Sequence, residues 1–107
     1  MNIISNNPLR CTVVSVALEQ VLDPEIGLNV VDLGLIYQID FDDHNKIVFV
    51  SMTLTTRFCP MGASLKDSVS ELVSRICEGY KVEVNLVFEP AWNHNRISEE
   101  GKKFLNR

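Results

Sequence analysis

Apolar residues repeat at helical spacing in two stretches of the chain. The first stretch predicts a helix from about residue 9 to residue 22, ended by Asp23-Pro24. The second follows Cys59-Pro60 and is closed by Gly79, a residue typical of the position just after a helix. Both stripes are expected to face the core. They consist of Val14, Ala17, Leu18, Val21 and Leu22 in the first helix, and Leu65, Val69, Leu72, Val73 and Ile76 in the second.

Between and after these helices, side chains alternate with the period of two that is typical of strands. Strand one covers residues 35–41, and a turn at residues 42–45 connects it as a hairpin to strand two, residues 46–55. Strand three covers residues 81–89 and ends at Pro90, because proline cannot donate to a sheet ladder. The alternating apolar sets are Leu35, Tyr37, Ile39 and Phe41; Val48, Val50, Met52 and Leu54; and Val82, Val84, Leu86 and Phe88.

The order of these elements predicts the fold class. Helix, strand, strand, helix, strand and a short C-terminal helix, which Ser98 caps and Gly101 weakens, indicate an α/β (α+β) two-layer sandwich with helices on one face of a three-stranded sheet. The right-handed crossover rule makes strand three parallel to strand two and leaves its neighbour open. We favour strand one as that neighbour, because antiparallel pairs are the more common. Residues 1–9 are expected to be flexible and residues 10–107 to form a single domain.

Composition and charge exclude several classes of function. The 107 residues are 46% hydrophobic and 22% charged, as in an ordinary globular protein. A net charge of −4, with lysine and arginine scattered singly, lacks the basic stripe of a nucleic-acid-binding protein. The sequence shows neither an apolar run of the ~20 residues that span a membrane nor a signal peptide. We therefore expect a cytoplasmic protein that binds neither nucleic acid nor membrane.

The three cysteines, Cys11, Cys59 and Cys77, form no CxxC pair and are expected to be reduced thiols. Cys59 lies between strand two and the second helix, and Pro60 suits the first helical position, which would make Cys59 the N-cap. Helix amides would then favour its thiolate by ~0.3 to 1 kcal/mol. An alternative remains open, because a cysteine between Phe58 and Met61 could equally be a core residue.

Polar residues between the first helix and strand one form a second candidate group. Asp32 lies just before strand one, whose start is opposite the end of strand two in an antiparallel pair. We therefore expect Asp32 and Cys59 to share one rim of the sheet. The alternative is that Asp23 and Asp32 are turn and capping residues. The group also contains Glu25 and Asn29, and strand two brings Thr55 and Thr56, which are also ordinary strand formers.

Trp92 follows strand three and is expected either to cover the same rim as Cys59 or to form a partner surface, since tryptophan is enriched at interfaces. Simple packing is the alternative. His94 could reach a metal but is more simply a surface residue, and His44 belongs to the solvated turn.

Several short motifs occur together and in order along residues 10–105. They are Asp23-Pro24-Glu25, the run from Asp32 to Tyr37, the run from Met52 to Thr56, Cys59-Pro60, Pro90-Ala91-Trp92 and Arg96-Ile97-Ser98. In this combination the chain resembles the iron-sulfur cluster assembly domain family, which includes SufT-like and PaaD-like proteins and the eukaryotic cytosolic iron-sulfur targeting subunit. The resemblance implies that Cys59 is the functional thiol and that Asp23, Glu25 and Asp32 occupy the family's acidic positions. Arg57-Phe58, Ala91 and Asn93-His94-Asn95 depart from the family's usual residues.

The resemblance implies an accessory factor in iron-sulfur cluster assembly or delivery rather than an enzyme. A cluster normally needs four ligands, so one chain with a single well-placed cysteine would contact iron or a cluster transiently, bridged to another chain, without a firmly resident cofactor. The expected partners are an assembly scaffold or recipient apoproteins, a separate P-loop ATPase, since the chain lacks the GxxxxGK[ST] motif, and a second copy of the chain. Metal contact falls on Cys59, with Asp23, Glu25, Asn29, Asp32, Thr55, Thr56 and Pro60 supporting it and Trp92 and Arg96 as a partner surface.

Two other functions stay open at this point. The chain could be a PaaD-like binding subunit of a multicomponent oxygenase system. It could also be a thiol-dependent enzyme with Cys59 as nucleophile, which would require a base within hydrogen-bond reach.

Overall fold

The computed structural model describes residues 3–24, 26–55 and 62–106. It contains three α-helices and an open three-stranded sheet, which confirms the α+β class. In chain order the elements are α1 (Pro8–Leu18), β1 (Ile36–Asp42), β2 (Ile47–Met52), α2 (Gly62–Ile76), β3 (Lys81–Leu86), a short 3₁₀ helix (His94–Arg96) and α3 (Glu99–Leu105).

The sheet order is β1-β2-β3, so our prediction that strand three lies beside strand one is wrong. β2 is the central strand, antiparallel to β1 and parallel to β3, with Val48 opposite Val82 and Val50 opposite Val84. The edge of β1 is instead used by Ile4, which accepts from the Ile39 amide at 2.9 Å and donates to the Tyr37 carbonyl at 3.0 Å. The general preference for antiparallel pairs does not predict that the N-terminal segment occupies this edge of β1.

The N-terminal segment lies along β1 in the structure. Besides the Ile4 pairing, the Asn6 side chain donates to the Phe41 carbonyl at 2.9 Å and accepts from the Phe41 amide at 3.0 Å. Asn7 then caps α1 by accepting from the Arg10 amide at 3.2 Å. These bonds hold residues 4–7 against the sheet and start α1 at Pro8.

α1 ends at Leu18, four residues before the predicted end. The apolar residues Val21 and Leu22 leave the helix because they pair with the following loop: the Val30 amide donates to the Val21 carbonyl at 3.0 Å, and Leu22 bridges Asn29. The helical spacing of apolar residues therefore extends beyond the end of α1, into a segment that pairs with residues 29–30 instead of continuing the helix.

β1 departs from strict alternation at its start. Ile36 is opposite Met52 and Gln38 is opposite Ser51, so β1 has one extra residue there, a β-bulge. As a result Leu35 and Ile36 are both buried, and the hydroxyl of Tyr37 donates to the Pro90 carbonyl at 2.8 Å. The bulge thus turns Tyr37 toward the segment that follows β3.

The predicted core stripes are largely confirmed. Val48, Val50 and Met52 of β2 are fully buried, and Leu54 is nearly so. Leu65, Val69 and Val73 form the buried face of α2, but Ile76 at its end is exposed. From α1 the core takes Cys11, Val14, Ser15 and Leu18.

Ser98 caps α3 as predicted, accepting from the Gly101 amide at 3.0 Å. Close packing explains why a glycine occupies position 101 of this helix, which the sequence alone does not show. A Cβ there would lie 2.8 Å from Ile97 Cγ2 and 3.0 Å from Leu28 Cδ2. The helix therefore accepts a weak helix former because its backbone approaches the loop closely.

Two carboxylates of the β1–β2 turn give stability a pH dependence. A hydrogen bond from the Asn45 amide holds the pKa of Asp42 below its usual value. The Tyr80 hydroxyl, and then the Arg10 guanidinium at 2.6 Å, lower the pKa of Asp43. A depressed pKa stabilises the fold above the unfolded pKa of about 4, and this stabilisation is lost as the pH falls through the folded value.

We therefore expect Asp43→Asn to lower the unfolding midpoint at pH 7 and to differ less from wild type as the pH falls below about 4. Urea unfolding of both proteins between pH 7 and pH 2.5 measures this difference. Asp67→Asn, on the exposed side of α2, is the matched control for removing one carboxylate. A difference between Asp43→Asn and wild type that stays constant over this range would contradict the linkage.

Candidate functional site

The loop of residues 29–35, here named the rim loop, leads from the turn after α1 into β1. Asn29 shapes its start: its side-chain oxygen accepts from the amides of Val31 and Asp32, at 3.0 and 2.8 Å. The Asn29 amide group donates to Asp32 Oδ2 at 2.7 Å. Such local side-chain bonds are typical of Asn and Asp in turns, so the loop has a built-in conformation.

Asp32 joins the rim loop to the start of α3. Its Oδ1 accepts from the Ser98 hydroxyl at 2.7 Å, and its carbonyl accepts from the Ser98 amide at 2.8 Å. Because Oδ2 accepts from Asn29, both carboxylate oxygens have partners. These contacts agree with the turn-and-capping interpretation of Asp32, and they fix its side chain at the rim.

Asp23 closes the turn that precedes the rim loop. It is 2% exposed, and its Oδ1 accepts from the Ile26 amide at 3.3 Å. Its backbone pairs with Leu28 at 2.9 Å, and its carbonyl accepts from Gly27, which has φ +81°. Asp23 is thus a buried turn residue; Glu25, two residues later, lies outside the described residues.

Trp92 and Arg96 both lie against the rim loop. The Trp92 indole donates to the Leu33 carbonyl at 2.6 Å, and its ring centre is 5.3 Å from that of His94. The Arg96 guanidinium stacks 4.2 Å from the centre of the Tyr37 ring. The structure therefore brings Asn29, Asp32, Trp92 and Arg96 to one rim of the sheet, and it gives Trp92 a packing role there.

Gly34 allows the closest backbone approach at this rim. It has φ +76°, and a Cβ would lie 2.3 Å from the Arg96 carbonyl oxygen. Sequence reasoning included this residue in the run from Asp32 to Tyr37 without giving it a role, although a glycine between a polar turn and a strand was a usable signal. The same reasoning found Ser98 only as a helix cap and missed its bond to Asp32.

A small cavity of about 280 Å³ lies beside these residues. Its lining mixes polar and apolar side chains: Ile3, Val31, Asp32, Gly34, Ile36, Asn95, Arg96, Ile97, Ser98 and Glu99. The volume is near the lower limit of small-molecule sites. Within residues 3–24, 26–55 and 62–106, no three histidine, cysteine or acidic side chains are grouped as a metal site would require.

Cys11 and Cys77 are buried free thiols. Burial raises the pKa of Cys77, against an opposing effect of the nearby Arg10 charge. A buried thiol with a raised pKa is a poor nucleophile and metal ligand. Burial of both cysteines in the core is typical of structural residues.

Three further predicted site residues lie outside the described residues: Thr56, Cys59 and Pro60. The prediction that Trp92 covers the same rim as Cys59 therefore stays a prediction. Thr55 is described and half-buried. The hypothesis that Cys59 caps α2 stays a prediction.

Thr53 is a residue that sequence reasoning treated only as a strand former. It is 1% exposed, and its amide donates to the Leu35 carbonyl of the rim loop at 2.8 Å. Its hydroxyl has no hydrogen-bond partner in the described part of the chain. Only a structure could reveal this, because the sequence does not show which hydroxyls find partners.

None of the helices in the described ranges has the length and apolar character needed to cross a membrane.

Comparison with known proteins places these features in a family. Residues 12–86 match the family described as iron-sulfur cluster assembly protein. The chain is 40% identical over 82 residues to the Fe-S protein maturation auxiliary factor SufT of Staphylococcus aureus, covering 77% of this chain and 92% of that one. It is 37% identical over 86 residues to the auxiliary factor YitW of Bacillus subtilis, covering 80% and 83%.

The fold is similar to that of a solved relative. The crystal structure of a DUF59 domain of unknown function from Bacillus anthracis superposes with a TM-score of 0.83 at 34% identity, covering 89% of this chain and 90% of that one. The family match spans β1, β2, α2 and β3 as well as the rim loop. The chain therefore belongs to the iron-sulfur cluster assembly protein family.

Proposed function

We propose that this protein is an auxiliary factor in the maturation of iron-sulfur proteins, which assists cluster assembly or delivery and contacts iron or cluster through Cys59. The observation that carries the proposal is the similarity to maturation auxiliary factors over about four fifths of the chain, with Cys59-Pro60 inside the matched residues. Cys59 is the one cysteine outside the two buried structural thiols.

The rim supports this proposal by fixing the chain on both sides of the segment that carries Cys59. Before the segment, Thr53 is hydrogen-bonded to Leu35 at 2.8 Å. After the segment, Gly62 begins the described part of α2. Its backbone lies close to Leu54, because a Cβ at Gly62 would be 2.7 Å from Leu54 Cδ1. The rim loop, to which Thr53 is bonded, is itself fixed by the bond between Asp32 and Ser98 at 2.7 Å and by the bond from Trp92 to Leu33 at 2.6 Å. A thiol that receives cargo benefits from such a rigid support.

One thiol cannot complete the ligand set of a cluster, which normally takes four. The other ligands would come from a scaffold, from a recipient apoprotein or from a second copy of this chain. Iron or cluster is then a cargo shared between chains, and an ATPase, where the process needs one, is a separate protein. The chain would carry out this role in the cytoplasm.

A thiol-dependent enzyme is the weaker alternative. Such an enzyme needs a base beside Cys59. The ring centre of His94 lies 5.3 Å from that of Trp92, and His44 belongs to the β1–β2 turn. The similarity to maturation auxiliary factors favours the proposed function over this alternative.

We expect the wild-type protein to accelerate cluster transfer from a loaded scaffold to an apoprotein whose activity requires a cluster, and Cys59→Ser to lose at least tenfold of this acceleration. The thiolate is the ligand in this process, and a serine hydroxyl replaces it poorly. Recovery of recipient activity under anaerobic conditions is the measurement.

Cys77→Ala is the matched control, since it removes a buried thiol and should leave transfer intact once folding is verified. A wild-type protein without any effect on transfer would refute the proposed function. A Cys59→Ser variant as active as wild type would refute the role of the thiol alone.

A further inference from the structure

The two edges of the sheet differ in what covers them. The edge of β1 is covered by the N-terminal segment, in which Ile4 exchanges backbone hydrogen bonds with Tyr37 and Ile39. β3 forms the opposite edge, and in the described residues it pairs with β2 alone. An uncovered edge strand presents amides and carbonyls to which another strand can bind. The outer side of β3 is therefore a candidate interaction surface.

The bonds between β2 and β3 show which backbone groups of β3 face outward. The amides of Lys81 and Val87, at the two ends of the pairing, each donate at 2.8 Å to a carbonyl on the β2 side. In a parallel pair every second residue bonds to the neighbouring strand, so the odd-numbered residues of β3 face β2. Three even-numbered residues present their amides and carbonyls to the outside, without a backbone partner in residues 3–24, 26–55 and 62–106: Val82, Val84 and Leu86.

The side chains of β3 limit which strand can pair with this edge, because like charges opposite one another destabilise a sheet. Lys81, Glu83 and Asn85 lie on the face away from the helices, where Lys81 and Asn85 are exposed and Glu83 is half-buried. A second β3 that runs antiparallel, centred on Val84, places Glu83 of each copy opposite Asn85 of the other. The asparagine amide group is a hydrogen-bond donor to that carboxylate. In this register β3 is complementary to itself.

The neighbouring registers are less favourable. A shift by two residues is the smallest that keeps the outward groups of both strands facing each other. In one direction it places Glu83 opposite Glu83 of the second copy, which is a like-charge pair. In the other direction it places Val82 opposite Phe88, which lies beyond the end of β3 at Leu86. The charges and the strand length thus select the register centred on Val84.

We propose that the outer edge of β3 is an interaction surface for a second copy of this chain, which pairs antiparallel about Val84 and extends the sheet across both copies. Val84 then faces Val84, and Val82 faces Leu86, so every outward amide and carbonyl of these residues is hydrogen-bonded. Because the two β3 strands run in opposite directions, the rims that carry Asp32 lie at opposite ends of the shared sheet. Each copy presents its own rim, and the surface does not depend on the proposed function.

Hydrogen exchange of the full chain tests the surface directly. Sedimentation equilibrium gives the dissociation constant of the dimer, and amide exchange is then measured by NMR below and above it. In the dimer we expect the amides of Val82, Val84 and Leu86 to exchange at least about tenfold more slowly, because they gain hydrogen bonds there. The amide of Lys81, which is already bonded on the β2 side at 2.8 Å, should change by less than about twofold.

Substitutions of the exposed Asn85 test the register. Asn85→Glu places a carboxylate opposite Glu83 at two symmetric positions and should weaken dimerisation about fivefold or more. Asn85→Lys places an opposite charge there and should strengthen dimerisation about threefold or more. Asn106→Glu and Asn106→Lys, at the exposed end of α3, are the matched controls for net charge and should stay within about twofold of wild type.

A chain that remains monomeric at about 1 mM overturns the proposal and leaves the edge to an extended segment of another protein. A dimer in which the amides of Val82, Val84 and Leu86 exchange as they do in the monomer also overturns it, because another surface would then hold the copies together. Shifts of the same sign for Asn85→Glu and Asn85→Lys contradict the register centred on Val84. Each of these results leaves the proposed function intact, since cluster transfer is measured separately with Cys59→Ser.

Discussion

Gly34→Ala is expected to lower the free energy of unfolding by about 3 kcal/mol or more, the largest effect of an alanine at any of the five glycines. Two costs combine at this position. The backbone has φ +76°, where a side chain costs roughly 1–2 kcal/mol. The new Cβ would also lie 2.3 Å from the Arg96 carbonyl oxygen and 2.8 Å from its carbonyl carbon, so the backbone itself must move.

Gly79→Ala is the matched control for this prediction. Gly79 has a similar φ of +83°, but nothing lies within 4 Å of a Cβ built there. Its substitution should cost only the backbone strain, about 1–2 kcal/mol. Urea unfolding of wild type and both variants gives the comparison. Equal destabilisation at the two glycines would show that the approach of Arg96 to the rim loop does not matter for stability.

The elements that sequence predicts well are those whose pattern reflects a single burial constraint. The buried faces of β2 and α2 follow periods of two and 3.6 residues, and both appear in the structure. The start of α3 is equally local, since Ser98 needs only the amide of Gly101 to cap it. In each case neighbours in sequence determine the outcome.

The predictions that failed depended on partners far away in sequence. Ile4 pairs along the edge of β1, and Val21 leaves the helical pattern to pair with Val30. The bulge at Tyr37 changes which residues of β1 are buried, and no local pattern shows it. Hydrophobic spacing indicates most of the buried residues, with Leu22 and Ile76 as exposed exceptions, but it does not indicate which segment buries them.

The contacts of the candidate site also depend on residues that are distant in sequence, so the sequence predicts only some of them. The predicted antiparallel pairing of the start of β1 with the end of β2 is confirmed, and Asp32, Trp92 and Arg96 meet at that rim. That Cys59 shares the rim stays a prediction. The bond from Ser98 to Asp32 spans 66 residues, and the unpaired hydroxyl of Thr53 is a property of the packed chain. Both follow from three-dimensional contacts, which residue types alone do not specify.

Asp32→Ala is expected to lower the free energy of unfolding by about 2–3 kcal/mol and to loosen α3 from the rest of the protein. The variant removes the acceptors of two charge-assisted hydrogen bonds, each at 2.7 Å, and leaves the Asn29 amide and the Ser98 hydroxyl without their partner. Hydrogen exchange of the α3 amides should accelerate more than that of β2. Glu100→Ala, which removes an exposed carboxylate of α3, should change stability by less than about 0.5 kcal/mol.

A double-mutant cycle with Ser98→Ala separates the contact from the helix cap, because Ser98 also accepts from Gly101 at 3.0 Å. If Asp32 holds α3 through Ser98, the two substitutions together should cost about 1–2 kcal/mol less than the sum of the single effects. Additive effects would mean that Asp32 stabilises only its own loop. A strong coupling would show that the Asp32–Ser98 bond attaches the segment after β3 to the rim loop in addition to the bond from Trp92 to Leu33.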